Sequence, residues 1–192
     1  MEEIEIKFLE VDVVSLENKL NEIGAKKVGD FFYKRIVFDF PDYRLDKTGQ
    51  YLRLRDEGDK ITLTHKKQKD FISHEQTTKD VIILENEVIV SNFETTRKIL
   101  NDVGMIEDQY QENRRTRYVF EDVEIDIDSW PKIPTYLEIE GQSQEKVNEV
   151  ATLLGFDLED AVRYSAGGIY ERHYGIKLHE YSKVTFDEWV KK

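Results

Sequence analysis

The sequence predicts an α+β fold, a closed antiparallel β-barrel of about eight strands with helices packed on its outside. Several segments alternate charged and aliphatic residues, which is typical of strands with one polar and one apolar face. Three amphipathic segments begin at a capping residue and end at a glycine, which is typical of helices. The charged faces carry both signs, and a barrel can turn such faces toward one interior ligand.

Alternation defines the strands in order along the chain. In the first, residues 3–8, the aliphatic and aromatic side chains fall on one face, and the charged side chains Glu3, Glu5 and Lys7 fall on the other. Further strands are predicted at 31–39, 51–55, 61–67, 84–90, 113–120, 123–128 and 136–140. Their charged faces contribute Arg53, Arg55, Lys66, Glu85, Glu87, Arg115, Arg117, Glu124, Asp126, Asp128, Glu138 and Glu140.

Helices are predicted from their start and stop residues. The three caps are Asp12, Ser91 and Ser143, and the three terminal glycines are Gly24, Gly104 and Gly155. Residues 158–174 read as a helical segment interrupted at Gly167 and Gly168, and residues 68–80 as a long loop that is a candidate lid. We expect one domain over 1–175 and a C-terminal extension over 176–192 with a short helix, and a short capped turn that begins at Thr185.

Composition excludes several classes of protein. The 192 residues carry a net charge of −12 and 35% charged residues, so a broad attraction to nucleic acid or an anionic membrane is not expected. There are no cysteines, and no apolar run approaches the ~20 residues of a membrane helix. The acidic N-terminus does not resemble a signal peptide. We expect a cytoplasmic protein that is a monomer or a homodimer.

The charged faces admit two interpretations. If they meet solvent, the aliphatic faces form an ordinary sandwich or sheet-on-helix core. Nearly every position on these faces is charged, however, and the signs segregate by strand, which favours inward orientation. Bases beside carboxylates then suit a polyanionic ligand with its divalent cation, because carboxylate oxygens bind Mg²⁺ or Mn²⁺ and bases bind phosphate.

The motif Glu3-x-Glu5-x-Lys7 resembles the ExExK signature of the CYTH superfamily, the triphosphate tunnel metalloenzymes. The resemblance continues in register to residue 141. It is carried by Leu52-Arg53-Leu54-Arg55, Leu63-Thr64-His65-Lys66, Glu85-x-Glu87, Arg115 with Tyr118, Asp126-x-Asp128 and Leu137-Glu138-Ile139-Glu140-Gly141. Two positions depart from the family pattern: Asn113 stands where a lysine is usual, and Ile83 where an arginine is frequent.

The resemblance implies an eight-stranded antiparallel tunnel and a set of site residues. Glu3, Glu5 and Lys7 are the expected catalytic residues. The implied ligands of Mg²⁺ or Mn²⁺ are Glu3, Glu5, Asp128, Glu138 and Glu140. The implied triphosphate ligands are Lys7, Arg53, Arg55, Lys66, Arg115 and Arg117, with Arg117 compensating for Asn113. Additional site residues are Glu85, Glu87 and Asp126.

The resemblance leaves the reaction open. The favoured hypothesis is metal-dependent hydrolysis of a triphosphate, which is inorganic tripolyphosphate, a nucleoside triphosphate such as ATP, or thiamine triphosphate. One alternative is a class IV adenylyl cyclase that converts ATP to cAMP and pyrophosphate. Others are a non-catalytic binder of polyphosphate or nucleotide, and a structural domain with a solvated charged face.

Overall fold

This computed structural model describes residues 4–69, 71 and 83–192, and these residues form ten strands and four α-helices. The helices are α1 (Val13–Glu22), α2 (Phe93–Asp102), α3 (Gln144–Leu153) and α4 (Ala166–Tyr174). The strands are β1 (Ile4–Phe8), β2 (Lys26–Asp39), β3 (Gln50–Asp56), β4 (Ile61–Gln68), β5 (Ile83–Ile89), β6 (Ile106–Phe120), β7 (Val123–Ser129), β8 (Tyr136–Gly141), β9 (Tyr181–Val184) and β10 (Trp189–Lys191).

The three capped helices are confirmed. The side chain of Asp12 accepts a hydrogen bond from Ser15 N at the start of α1, and Ser143 does the same for Lys146 N in α3. In α2 the cap is Asn92 rather than the predicted Ser91, with its side chain accepting from Thr95 N at 2.8 Å. A cap satisfies one of the backbone donors that a helix leaves unpaired at its start, and this explains why these polar residues define the boundaries.

The predicted interruption at Gly167 and Gly168 is wrong. Ser165 caps α4 by accepting a hydrogen bond from Gly168 N at 3.2 Å, so both glycines lie in the first helical turn. The segment before it contains only a single 3₁₀ turn, Leu158–Asp160. No helix in the described ranges has both the length and the apolar character that crossing a membrane requires.

The chain divides into two units. One of them, called the β1 unit, comprises the described part of Glu3–Phe31 together with Asn113–Leu178. Its strands follow the order β1-β8-β7-β6, all antiparallel. Their apolar faces bury Ile6, Ile125 and Ile139 against Leu20 of α1 and Val147 of α3. Because side chains alternate along a strand, this packing leaves the charged residues on the opposite face.

The second unit, called the β4 unit, comprises Phe32–Glu112 and His179–Lys192 within the described ranges. Its strands follow the order β2-β3-β4-β5, also antiparallel, and Ile36, Phe38 and Leu54 form its core with Met105. In the tail, β9 pairs with β10 and lies parallel to β6. Residues 185–188 form the loop of the β9–β10 hairpin, and the predicted capped turn is observed there, with Glu188 N donating a hydrogen bond to Thr185 Oγ1 at 2.9 Å. The C-terminal segment also contains a short 3₁₀ helix, Leu178–Glu180.

The antiparallel sheet with packed helices is confirmed, but the predicted closure into an eight-stranded barrel is wrong. Closure requires two neighbours for every strand. Within the described residues, β5 pairs only with β4, and β1 pairs along its length only with β8. The other edge of β1 is bordered by Val162, which exchanges two backbone hydrogen bonds of 2.9 Å with Lys7, so these groups are not available to a closing strand.

Candidate functional site

Lys7 lies on the charged face of the β1 unit and is buried, with 2% of its surface exposed. Its partner across the sheet is Glu138 of β8. The ammonium Nζ lies 2.5 Å from Glu5 Oε1 and 3.3 Å from Glu138 Oε2. Burial lowers the pKa of Lys7, but the two carboxylates outweigh it and hold that pKa above its ordinary value. Lys7 is therefore a buried ammonium whose charge is stabilised by two carboxylates.

Arg115 of β6 forms ion pairs with three carboxylates. Its Nε and Nη2 donate to the two oxygens of Asp128 at 2.7 and 2.5 Å. Its Nη1 donates to Asp126 at 2.5 Å, and Nη2 also donates to Glu138 at 3.1 Å. Asp126 and Asp128 are each 1% exposed. Buried carboxylates of this kind need paired cations, and a guanidinium with its fork of donors serves several at once.

Arg117 lies two residues further along the same face. Its Nε and Nη2 both donate to Asp126 at 2.8 Å, and its Nη1 lies 2.8 Å from Glu124. Burial lowers the pKa of Arg117, but the hydrogen bonds and charge of Asp126 outweigh it, so the pKa is raised. In this arrangement Arg117 is a counter-ion of Asp126, and its predicted role as a triphosphate ligand remains a prediction.

Glu5, Glu138 and Glu140 form a carboxylate cluster in which one oxygen of each lies within 4.8 Å of the others. The sheet register produces it, because Glu5 faces Glu140 directly and Glu138 is two residues away on the same face. Burial raises the pKa of Glu138, but Lys7 and Arg115 outweigh it, so the pKa lies below its usual range and the carboxylate is ionised. An all-oxygen set of this spacing fits a hard divalent cation.

The predicted metal ligands thus divide into three groups. Glu5, Glu138 and Glu140 come together, Asp128 is engaged by Arg115, and Glu3 lies outside the described residues. The candidate lid at 68–80 also lies mostly outside them.

Among the described residues of the β4 unit, Arg53 is the most enclosed base, 7% exposed and directly opposite Thr64. Its Nη2 donates a long hydrogen bond of 3.3 Å to Thr64 Oγ1 and lies 3.8 Å from Glu87 Oε2. The Thr64 hydroxyl donates to the same Glu87 carboxylate at 2.7 Å. Arg53 Nε is buried without a hydrogen-bond partner among the described residues. A buried N–H left in this condition is costly, and an oxyanion would satisfy it.

Lys66 and Glu85 form the next pair along the same face. They are direct neighbours across β4 and β5, with Lys66 Nζ 2.5 Å from Glu85 Oε2. Their side chains are 16% and 19% exposed, so the pair is partly shielded from water. Glu85 and Glu87 therefore lie beside bases, and their assignment as additional site residues remains a prediction.

Arg55 is held by a residue that sequence reasoning missed. Glu57 Oε1 accepts hydrogen bonds from Arg55 Nε at 2.9 Å and Nη2 at 2.6 Å, and from the Thr62 hydroxyl at 3.1 Å. The guanidinium also lies 4.9 Å from the ring centre of buried Tyr33. Glu57 follows β3 in a turn, where acidic residues are usually solvated. The sequence signal for this contact was the spacing of two residues between Arg55 and Glu57, because residues at that spacing lie on the same face of an extended chain.

The sequence of this chain is similar to those of known proteins. The sequence profile of the CYTH domain family matches residues 1–165. A Methanocaldococcus jannaschii protein that is named only provisionally as an adenylate cyclase is 29% identical over 176 residues, covering 91% of this chain and 97% of its own.

Two solved structures share the fold. A Vibrio parahaemolyticus protein, also named provisionally as an adenylate cyclase, has a TM-score of 0.73 at 13% identity, over 89% of this chain and 98% of its own. A Hippeastrum protein named provisionally as an adenylyl cyclase, and described as having a dominant triphosphatase activity, has a TM-score of 0.59 at 16% identity. That match covers 91% of this chain and 96% of the other.

Proposed function

The chain belongs to the CYTH domain family, and from this premise we propose that it is a divalent-metal-dependent enzyme that hydrolyses a triphosphate. The observation that carries the proposal is the contact of Lys7 with Glu5 and Glu138, because it joins a phosphate-binding cation to two carboxylates of the cluster. A site for a triphosphate and its cation needs both charges within one network.

The carboxylates Glu5, Glu138 and Glu140 would hold the cation, with Glu3 as a further expected ligand. A bound Mg²⁺ or Mn²⁺ supplies charge stabilisation at phosphoryl oxygens and lowers the pKa of bound water. The ionised state of Glu138, which Lys7 and Arg115 maintain, keeps this residue ready as a ligand near neutral pH.

Lysine and arginine side chains would bind phosphate oxygens and orient the substrate. Lys7 and Arg115 are buried cations whose partners fix their direction, so that little reorganisation accompanies charge development in the transition state. In the β4 unit, Arg53 contributes a buried Nε donor that has no hydrogen-bond partner among the described residues, and Lys66 lies on the same face. Burial also excludes water, which strengthens these interactions.

A second candidate is cyclisation of ATP to cAMP and pyrophosphate. The provisional name of the Methanocaldococcus jannaschii relative, which aligns over most of both chains, favours it. The two reactions need the same triphosphate and metal ligands and differ in the attacking oxygen, which is water in one and the ribose 3′-hydroxyl in the other.

Product analysis separates the candidates. The purified protein is incubated with Mg²⁺ or Mn²⁺ and, in parallel, tripolyphosphate, ATP or thiamine triphosphate. Orthophosphate release without cAMP supports hydrolysis, whereas cAMP with pyrophosphate establishes the cyclase. Tight tripolyphosphate binding with no turnover of any substrate would leave a non-catalytic binder and overturn the proposal.

The variant Glu5→Gln tests the site itself. It keeps the size of the side chain and removes one charged ligand of the cluster, so metal-dependent turnover is expected to fall by at least about 100-fold. Glu149→Gln, an exposed position on α3, is the matched control and is expected to retain full activity. Equal activity of the two variants would refute the assignment of Glu5.

A further inference from the structure

Glu57 is a buried carboxylate of the β4 unit that lies outside the predicted site. It is 4% exposed, although it lies in the four-residue connection between β3 and β4. Its backbone N–H donates to Lys60 O at 2.9 Å, which fixes the start of the turn. A carboxylate in a surface turn normally reaches water, so its inward position needs a partner that compensates for burial.

The compensation comes from Arg55 and Thr62, which face each other across β3 and β4. Glu57 Oε1 receives both the Nε and Nη2 donors of Arg55 and the Thr62 hydroxyl, while Lys60 Nζ lies 3.8 Å from Oε2. Burial raises the pKa of Glu57, but the charges of Arg55 and Lys60 and the hydrogen bonds from Arg55 and Thr62 together outweigh it, so the pKa is lowered. The carboxylate therefore holds one edge of the guanidinium.

Tyr33 restricts the same guanidinium from another direction, with its ring centre 4.9 Å from the guanidinium carbon. An arginine side chain has several rotatable bonds, and each one immobilised on binding costs conformational entropy. A guanidinium already fixed by a carboxylate and an aromatic ring avoids much of that cost when an anion binds.

We propose that Glu57 is a positioning residue for Arg55, fixing its guanidinium in the orientation that binds an oxyanion of the triphosphate. The inference rests on the proposed function, in which Arg55 is a phosphate ligand. It adds to that function a residue that no family motif marks. Two other roles for Glu57 predict other results when it is replaced. If Glu57 competes with the anion for Arg55, anion binding becomes tighter, and if Glu57 only anchors the turn, anion binding does not change.

The test measures tripolyphosphate affinity of the full chain by isothermal titration calorimetry in EDTA, where metal-dependent turnover is absent. Glu57→Gln removes the charge that orients Arg55 and is expected to raise the Kd about tenfold, as the loss of a charge-assisted hydrogen bond does.

Asp59→Asn, which replaces an exposed carboxylate of the same turn, is the control for net charge and is expected to leave the Kd unchanged. A tighter Kd in Glu57→Gln would identify a competitor, and an unchanged Kd with a lower Tm a structural anchor; either overturns the proposal.

A double-mutant cycle shows whether Glu57 acts through Arg55. Arg55→Gln alone is expected to weaken binding, and adding Glu57→Gln to it is expected to have no further effect. If Arg55→Gln leaves the Kd unchanged, the role of Arg55 in the proposed function fails. If it weakens binding while Glu57→Gln does not, only the positioning role fails.

A milder variant covers the case in which Glu57→Gln does not fold. Thr62→Val removes the third donor to Glu57 while keeping the size of a fully buried side chain. It is expected to raise the Kd two- to threefold, because Glu57 keeps both of its hydrogen bonds from Arg55 and loses only the one from Thr62. No change of Kd in a folded Thr62→Val protein would contradict the proposed positioning network.

Discussion

The ammonium of Lys7 lies 2.5 Å from Glu5 Oε1 and so binds a carboxylate of the cluster that could hold a metal ion. A cation of the protein and a metal cation at these oxygens repel each other. The strength of metal binding and the position of Lys7 are therefore linked.

Lys7→Gln is expected to tighten Mn²⁺ binding about tenfold in the absence of substrate, because it removes a positive charge next to Glu5 and Glu138. The same change is expected to weaken tripolyphosphate binding. Titration of Mn²⁺ followed by electron paramagnetic resonance measures the first effect. Lys146→Gln, a surface lysine of α3, is the control. Weaker Mn²⁺ binding by Lys7→Gln would show that Lys7 does not compete with the metal.

Removal of Arg115 is expected to destabilise the fold strongly. Arg115→Met leaves Asp126, Asp128 and Glu138 without their shared cation, and breaking a buried ion pair in this way costs about 3–5 kcal/mol. Arg117→Met is expected to cost less, because its side chain is 22% exposed and Asp126 keeps Arg115. Urea denaturation gives both values. Equal losses would argue against the three-carboxylate role of Arg115.

Asp39 is expected to be a stabilising residue of the connection between β2 and β3. Its buried carboxylate accepts hydrogen bonds from the backbone N–H groups of Phe40, Leu45 and Asp46 at 2.6, 3.0 and 3.0 Å. Asp39→Ala leaves these donors without this partner and is expected to cost about 2–3 kcal/mol of unfolding free energy. Asp42→Ala, in the exposed part of the same connection, should lie within about 0.5 kcal/mol of wild type in the same denaturation experiment.

The lowered pKa of Glu57 predicts a pH dependence of stability. The unfolded chain, with an ordinary pKa of 4.5, binds a proton more readily than the folded protein. The contribution of Glu57 to the free energy of unfolding is therefore fully present above the pKa that Glu57 has in the unfolded chain. It is lost as the pH falls through the pKa that Glu57 has in the folded protein. Urea denaturation from about pH 6 down to about pH 3 should show a shallower decline for Glu57→Gln than for wild type. Parallel curves for the two proteins would contradict the shift.

Local patterns predicted most strands, three helices and the charged face, because each depends on neighbours within a few residues. The extensions of β2 to Lys26 and of β6 to Ile106 were not predicted. Those segments lack alternation, and β6 is supported there by distant contacts, such as Gln109 Nε2 donating to Tyr181 O at 2.9 Å. The β9–β10 hairpin likewise depends on the Tyr181 and Trp189 rings, whose centres lie 4.9 Å apart.

In the candidate site, sequence alternation identified the residues but not their partners. The sharing of Arg115 among three carboxylates depends on strand register, which no single segment encodes. Glu57 was missed because it follows the end of β3, where an acidic residue normally meets water, although its spacing of two from Arg55 places both on one face. The edge position of β1 was missed because Val162, which follows a 3₁₀ turn, has no strand pattern of its own.

The placement of Arg115 opposite Asp128 has a consequence for folding. A slip of β7 by one residue would exchange its two faces, so Asp126 and Asp128 would meet Leu20 and Val147, while Ile125 and Ile127 would meet Arg115. Each misplaced charge would lie in an apolar core without a partner. The charged residues of the candidate site therefore also destabilise misaligned strand registers. Variants that neutralise several of them should form misaligned sheets more often, as well as lose activity.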